Sequence, residues 1–157
     1  MDQHSIWMAG ALELAQTAAA IGDAPVGCII VRGGQIVGRG YNRRESGRDA
    51  LAHAEIEAIS EACRALDGWR LTGCTMVVTL EPCAMCAGAI ANARVPRVVF
   101  GAYDPKAGAY GGLFDIRTLG LNHIPEVTGG VMAEQCGGLL KEFFSDLRTR
   151  NVLSVVR

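Results

Sequence analysis

A three-layer α/β sandwich is the architecture that this sequence predicts, on three observations. A hairpin stands near the N-terminus, two continuously apolar strands follow it, and helical segments alternate with those strands. The 157 residues suffice for one domain, expected to span 1–157, with a substantial buried core.

In the first segment Trp7, Ala11, Leu14, Ala18 and Ile21 recur at steps of four and three. That spacing predicts an apolar stripe on a helix that ends at Gly22-Asp23. The β-branched run at 26–31, VGCIIV, leads into Gly33-Gly34 and then QIVGRGYN, the pattern of a β-hairpin. A polar loop, RRESGRD, follows. From His53 to Leu66, Ile56, Ile59, Ala62, Cys63 and Leu66 keep helical spacing. TMVVTL at 75–80 and RVVFGA at 97–102 read as strands buried on both faces. Between them Pro82 is expected to open a small-residue helix running to about Ala93. Residues 103–125, with four glycines and two prolines, read as a long loop with a short helix at LFDI. Met132 to about Arg150 reads as a closing helix.

Half of the residues are hydrophobic, a fifth are charged, and the net charge is -1. Such a balance gives no global attraction to nucleic acid, so any such attraction must come from a local patch. No apolar run reaches the ~18 residues of a membrane span, and no basic stretch precedes an apolar one at the N-terminus. A cytoplasmic protein without membrane attachment is the expectation. Of the six cysteines, Cys28, Cys63, Cys74 and Cys136 sit among apolar or small residues and read as reduced core cysteines.

Cys83 and Cys86 differ from these because they stand three apart behind Pro82 at a helix start. Residues three apart share a helix face, and a helix N-terminus favours thiolate over thiol. His53, at the start of another helix, is the best third ligand. Glu55 lies two residues further on, about 200° around a regular helix. His53 and Glu55 can therefore converge only on a point off the helix end. Three protein ligands on tetrahedral zinc leave a fourth position open, the catalytic pattern, in which water acquires a pKa of ~7. Glu55, binding no metal, could move that water's proton to a ring nitrogen and a departing amine. Against this stand a redox CxxC pair, half of a structural zinc site, and a helix cap with a solvated acid. There is no second CxxC to complete a four-thiolate site. His4 and His123 lie too far from the motif to be expected as ligands.

At HAE (53–55) and PCAMC (82–86) the chain resembles the zinc-dependent nucleobase deaminases of the cytidine/deoxycytidylate deaminase superfamily, whose signature is H-x-E…P-C-x-x-C. Along nearly its full length it is more closely similar to the bacterial tRNA-specific adenosine deaminase (TadA) family. The likeness rests on the WM-A-LELA opening, PVG, GxGYN, AHAEIEAI, TLEPCAMCAGAI, RVVFGA, D-P-K-A-G and LLKEFF. The resemblance implies a cytidine deaminase-like α/β/α fold around a five-stranded mixed sheet, and a homodimer with one Zn2+ per subunit. It implies hydrolytic conversion of adenosine to inosine at the wobble position of a tRNA anticodon stem-loop. His53, Cys83 and Cys86 match the zinc ligands and Glu55 the proton shuttle. Asn42, Ala54, Asp104 and Lys106 match substrate-binding positions, and Phe143, Phe144 and Arg148 match the closing helix that contacts RNA. Arg43, Arg44 and Arg48 cluster before His53 and suit phosphate contacts, while Tyr103 could stack on a base. Each arginine could equally belong to a solvated loop, and the Phe pair to the core. The chain departs from the family pattern at Arg44, at Asp49-Ala50-Leu51, at Tyr103, at Leu147 and in the apolar tail NVLSVVR. A deaminase of a free base or nucleotide, of guanine or cytosine type, is the alternative reading.

Overall fold

The computed structural model describes residues 1–156, with side chains described through Asn151. Helix α1 (Gln3–Ala20) leads into strands β1 (Gly27–Arg32) and β2 (Gln35–Tyr41), then helix α2 (Ala54–Ala65). Strand β3 (Cys74–Leu80), helix α3 (Ala84–Asn92) and strand β4 (Arg97–Ala102) follow, and β5 (Glu126–Thr128) and α4 (Ala133–Val156) close the chain. The sheet order is β2-β1-β3-β4-β5. β1 pairs antiparallel with β2 and β3, whereas β3–β4 and β4–β5 are parallel, so the five-stranded sheet is mixed as expected. The α2 and α3 helices cover one face and α1, with the start of α4, the other.

Strand alternation divides the core between the two faces. Cys28, Ile30, Met76, Val78, Val98 and Phe100 pack with Ala54, Ala58, Ala62, Ala87 and Ile90 of α2 and α3. Ile29, Val31, Val77 and Val99 pack with Met8 and Ala11 of α1 and Cys136 of α4. β3 is buried over Cys74–Thr79, which accounts for its uninterrupted apolar run. In α1 the buried line is Met8, Ala11, Ala15 and Ala18. The expected stripe is thus off centre: Ala11 and Ala18 are buried, but Met8 and Ala15 take the other inward positions, while Trp7 and Leu14 are half-buried and Ile21 is exposed.

The hairpin turns through Gly33 and Gly34, both with positive φ (57° and 79°), as a two-residue loop matched to strand twist requires. Gly38 and Gly40, two apart on β2, bring that strand unusually near α2. A Cβ on Gly40 would collide with the Ala54 carbonyl and one on Gly38 with the Ala58 carbonyl. The start of α2 is thereby pressed onto the sheet.

Three expectations need correction. Pro82 does not open α3, because Cys83 keeps an extended backbone (φ -77°, ψ 178°) and the helix begins at Ala84. The short helix overlaps LFDI only at its last residue and runs Ile116–Leu119, because the Asp115 carboxylate accepts the Arg117 N–H and fixes its start. The last helix runs beyond Arg150, to Val156. No helix among the described residues is long and apolar enough to cross a membrane.

The tight contact at β2 yields a direct expectation. Gly40→Ala overpacks the α2–β2 seam and should lower unfolding free energy by about 1–3 kcal/mol. Urea denaturation at neutral pH measures this, and an unchanged midpoint would show that the seam has slack.

Candidate active site

The C-terminal ends of the parallel strands β3 and β4 open into a cleft of about 800 Å³, the usual position for ligands in α/β sheets. Two helices begin at its floor. His53 is the N-cap of α2 and Cys83 the N-cap of α3, both with extended backbones and neither using its side chain to cap its helix. Each is therefore free to point off its helix end. The extended backbone at His53 also removes the 200° conflict with Glu55, since only Glu55 obeys helical geometry.

The His53 Nδ1 atom lies 3.7 Å from Cys83 Sγ and 3.6 Å from Cys86 Sγ, and the three donor atoms all fall within 4.8 Å of one another. In a tetrahedral zinc site with Zn–S near 2.3 Å and Zn–N near 2.05 Å, the N···S separation is about 3.6 Å. The donor set fits zinc in both chemistry and spacing. The other four cysteines are free thiols, three buried and one half-buried. His123 spends its Nε2 on the Val95 carbonyl at 2.6 Å.

The electrostatics favour cation capture. A hydrogen bond from Cys86 pulls the Cys83 thiol down to about 3, with His53 adding to the effect against the cost of burial. Its bond to Cys83 raises His53, and the same thiol pair pushes Cys86 upward. The site thus favours a thiolate at Cys83, the form in which a thiol binds a metal cation. Both helix N-termini add positive potential at the same point. Glu55, only 4% exposed, is raised by burial and lies against the Cys86 thiol.

Of the remaining anticipated site residues, Asn42, Arg44, Ala54, Tyr103, Asp104, Lys106, Phe144 and Arg148 line the cleft. Asn42 is already oriented: its amide donates to the Ala24 carbonyl at 3.2 Å and accepts the Arg44 N–H at 3.1 Å. That leaves one N–H and one lone pair for a ligand. Arg43, Arg48 and Phe143 are not among the lining residues. Arg43 turns to α2 and pairs with Glu57 at 2.8 Å. Arg48 occupies a left-handed turn (φ 51°) in the exposed loop. Phe143 meets Phe144 edge-on, with ring centroids 5.3 Å apart. Phe144 is 42% exposed and so is not a core residue. α4 docks through buried Cys136 beside Gly101 and then carries Leu140, Phe144 and Arg148 along one helix face at the cleft.

Two buried acids escaped sequence reasoning. Asp23 accepts the Glu45 and Ser46 N–H groups at 2.8 and 3.1 Å, pinning the arginine-bearing loop. Glu81, between β3 and Pro82, accepts three backbone N–H groups from the loop after β4. For Glu81 the available signal is an acid at the end of a wholly apolar strand, a position that burial forbids without partners.

Over residues 1–102 the chain matches the zinc-binding region of the cytidine and deoxycytidylate deaminases. It is 46% identical over 151 residues to the tRNA-specific adenosine deaminase of Bacillus subtilis (strain 168), spanning 96% of this chain and 94% of that one. It superposes, with a TM-score of 0.79 and 37% identity, on a solved structure from studies of A-to-I editing by tRNA:A34 deaminases at the wobble position of transfer RNA. That match covers 88% of this chain and 100% of the other. A guanine deaminase from Nitrosomonas europaea superposes with a TM-score of 0.77 at 28% identity, covering 88% and 83%.

Purified protein should carry one zinc ion per chain by elemental analysis. Cys86→Ser should reduce that content at least tenfold, and stoichiometric zinc in the variant would remove Cys86 from the ligand set.

Proposed function

Because the chain belongs to the zinc-dependent cytidine and deoxycytidylate deaminase family, we propose that its reaction is the hydrolytic deamination of adenosine to inosine at the wobble position of a tRNA anticodon. The observation that carries this reading is a buried carboxyl, Glu55, beside a three-donor metal set at the floor of a cleft with an exposed aromatic and basic wall. The similarity to a tRNA-specific adenosine deaminase along 96% of the chain supports the choice of substrate. Similarity to a guanine deaminase at 28% identity gives weaker support to a free base.

His53, Cys83 and Cys86 would hold the zinc ion, which supplies Lewis acidity and brings the pKa of water to ~7. Glu55 takes a proton from the attacking water and passes it to the purine ring nitrogen next to the amino-bearing carbon. The carboxylate then takes the second proton, from the newly added hydroxyl, and delivers it to the amine as the carbon–nitrogen bond breaks, so that ammonia leaves and the ring carbonyl of inosine forms. Asn42 offers its remaining donor and acceptor to the target nucleotide, and Ala54 gives the floor beside it a small, dry surface. Asp104 and Lys106 meet the nucleotides flanking it. A wobble base is already unpaired, so turning it into the cleft costs less than extracting it from a duplex.

The rim residues fit a backbone with one phosphate per nucleotide. Arg44, Lys106 and Arg148 carry positive charge at the cleft, and Tyr103 and Phe144 present exposed rings for stacking. Arg43 is tied to Glu57, and with Arg48 it contributes at most from the margin, as does Phe143. Assembly as a homodimer in the cytoplasm is part of this proposal. Exposed Leu113, Leu119, Leu121 and Ile124 in the loop before β5 supply apolar surface for a second copy.

Incubation of zinc-loaded protein with anticodon stem-loop RNA, followed by inosine detection, tests the substrate. Inosine at the wobble position is expected, whereas ammonia release from free guanine or cytosine with none from RNA would reverse the assignment. Glu55→Gln should retain zinc and lose about 10²–10⁴-fold in turnover. Retained turnover in that variant would make the site structural. Removing one phosphate contact with Arg148→Ala should raise KM several-fold and flatten its dependence on salt. An unchanged salt slope would take Arg148 out of the interface.

A further inference from the structure

We propose that Glu81 is a positioning residue that sets the substrate wall of the cleft against the metal-binding loop. Glu81 is 2% exposed, and both of its carboxylate oxygens accept backbone N–H groups. Oε1 accepts the Asp104 N–H at 2.9 Å, and Oε2 accepts those of Tyr110 and Gly112, each at 2.9 Å. The 104–112 segment thereby wraps around a single buried anion. Two glycines complete the fit, since a Cβ on Gly108 or Gly112 would land on the carboxylate itself.

Position makes this arrangement more than a loop anchor. Glu81 precedes Pro82 and Cys83, so its backbone belongs to the strip that carries a metal donor. Along that strip the Pro82 carbonyl accepts the Ala109 N–H at 2.9 Å, and Cys83 bridges Gly108. On the other side, Asp104 accepts the Lys106 and Ala107 N–H groups at 3.0 and 3.2 Å, giving the Tyr103–Lys106 wall its shape. Main-chain donors held by a carboxylate form charge-assisted bonds, stronger than neutral ones. A glutamine at this position keeps the volume but offers one acceptor oxygen, and turns an NH2 group toward N–H donors. At least one of the three amides then loses its partner, and the wall spends less time in its binding shape. Apparent affinity falls by the fraction of competent loop, while bound substrate still selects the competent state. The signature is therefore a change in KM without a matching change in kcat.

This inference rests on the RNA-deaminase reading, and the experiment keeps the two apart. Glu81→Gln and the full-length wild-type protein, both zinc-loaded, are compared by amide hydrogen exchange and by kinetics on anticodon stem-loop RNA. Glu81→Gln should exchange at least tenfold faster at Asp104, Tyr110 and Gly112, with β3 amides unchanged. Its zinc content should match wild type, its KM should rise about tenfold, and kcat should stay within about threefold. Gly112→Ala, which crowds the same carboxylate, should shift KM in the same direction. Unchanged exchange at the three amides overturns the proposal, as does an unchanged KM. Joint loss of zinc and kcat overturns it too, by making Glu81 a mere support of the metal fold. Should wild type edit no RNA, the substrate reading fails, and the exchange data alone decide whether the clamp exists.

Discussion

Two helix beginnings meeting at one point is the constraint on which the rest of the molecule depends. α2 and α3 lie on the same face of the sheet, and each starts with a residue in extended conformation whose side chain is spared from capping. His53 and Cys83 therefore project off the helix ends, and Cys86 follows one turn into α3. A shift of about an ångström in either helix would spoil a tetrahedral donor set whose N···S distances are fixed to a few tenths of an ångström. Gly38 and Gly40 prevent that shift on the α2 side by letting backbone meet backbone. On the α3 side the buried central strand β3 delivers Cys83 three residues beyond its C-terminal end.

Polar interior groups then complete the cleft. Asp23 and Glu81 are buried acids whose oxygens accept backbone N–H groups, one holding the loop before His53 and the other the loop after β4. Burial of a carboxylate costs several kcal/mol when unpartnered, so each is stable only while its loop stays folded around it. Glu55 is different. It is buried beside the donor set with its pKa raised by burial, and it lines the cleft. Two acids thus hold loops through backbone N–H groups, while the third stands beside the metal donors and lines the cleft.

Much of this was legible in the sequence because it depends on local pattern. The hairpin, β3 and β4 were visible as β-branched runs with Gly33-Gly34 as punctuation, and HAE with PCAMC gave both the donors and the non-ligand carboxyl. Position β5 was not, because three residues, Glu126–Thr128, carry no periodicity, and their pairing with Arg97–Val99 is set by the sheet. The stripe of α1 was read off centre because Trp7 and Ile21 outweigh alanines in a hydrophobicity pattern, while the buried line runs through Met8, Ala11, Ala15 and Ala18. Partners remote in sequence were invisible too: nothing local distinguishes Arg43, paired to Glu57, from Arg44, which faces the cleft. Asp23 and Glu81 bond to amides 22 to 31 residues away, a separation that no window of sequence spans.

X-ray absorption at the zinc edge tests the central geometry most directly. Two sulfur scatterers near 2.3 Å and two nitrogen or oxygen scatterers near 2.0–2.1 Å are expected, the same in wild type and in a Glu55→Gln variant. A shell of four sulfurs, one without sulfur, or one that changes when Glu55 is replaced would contradict a metal held by two helix caps and Cys86 with the carboxyl standing outside.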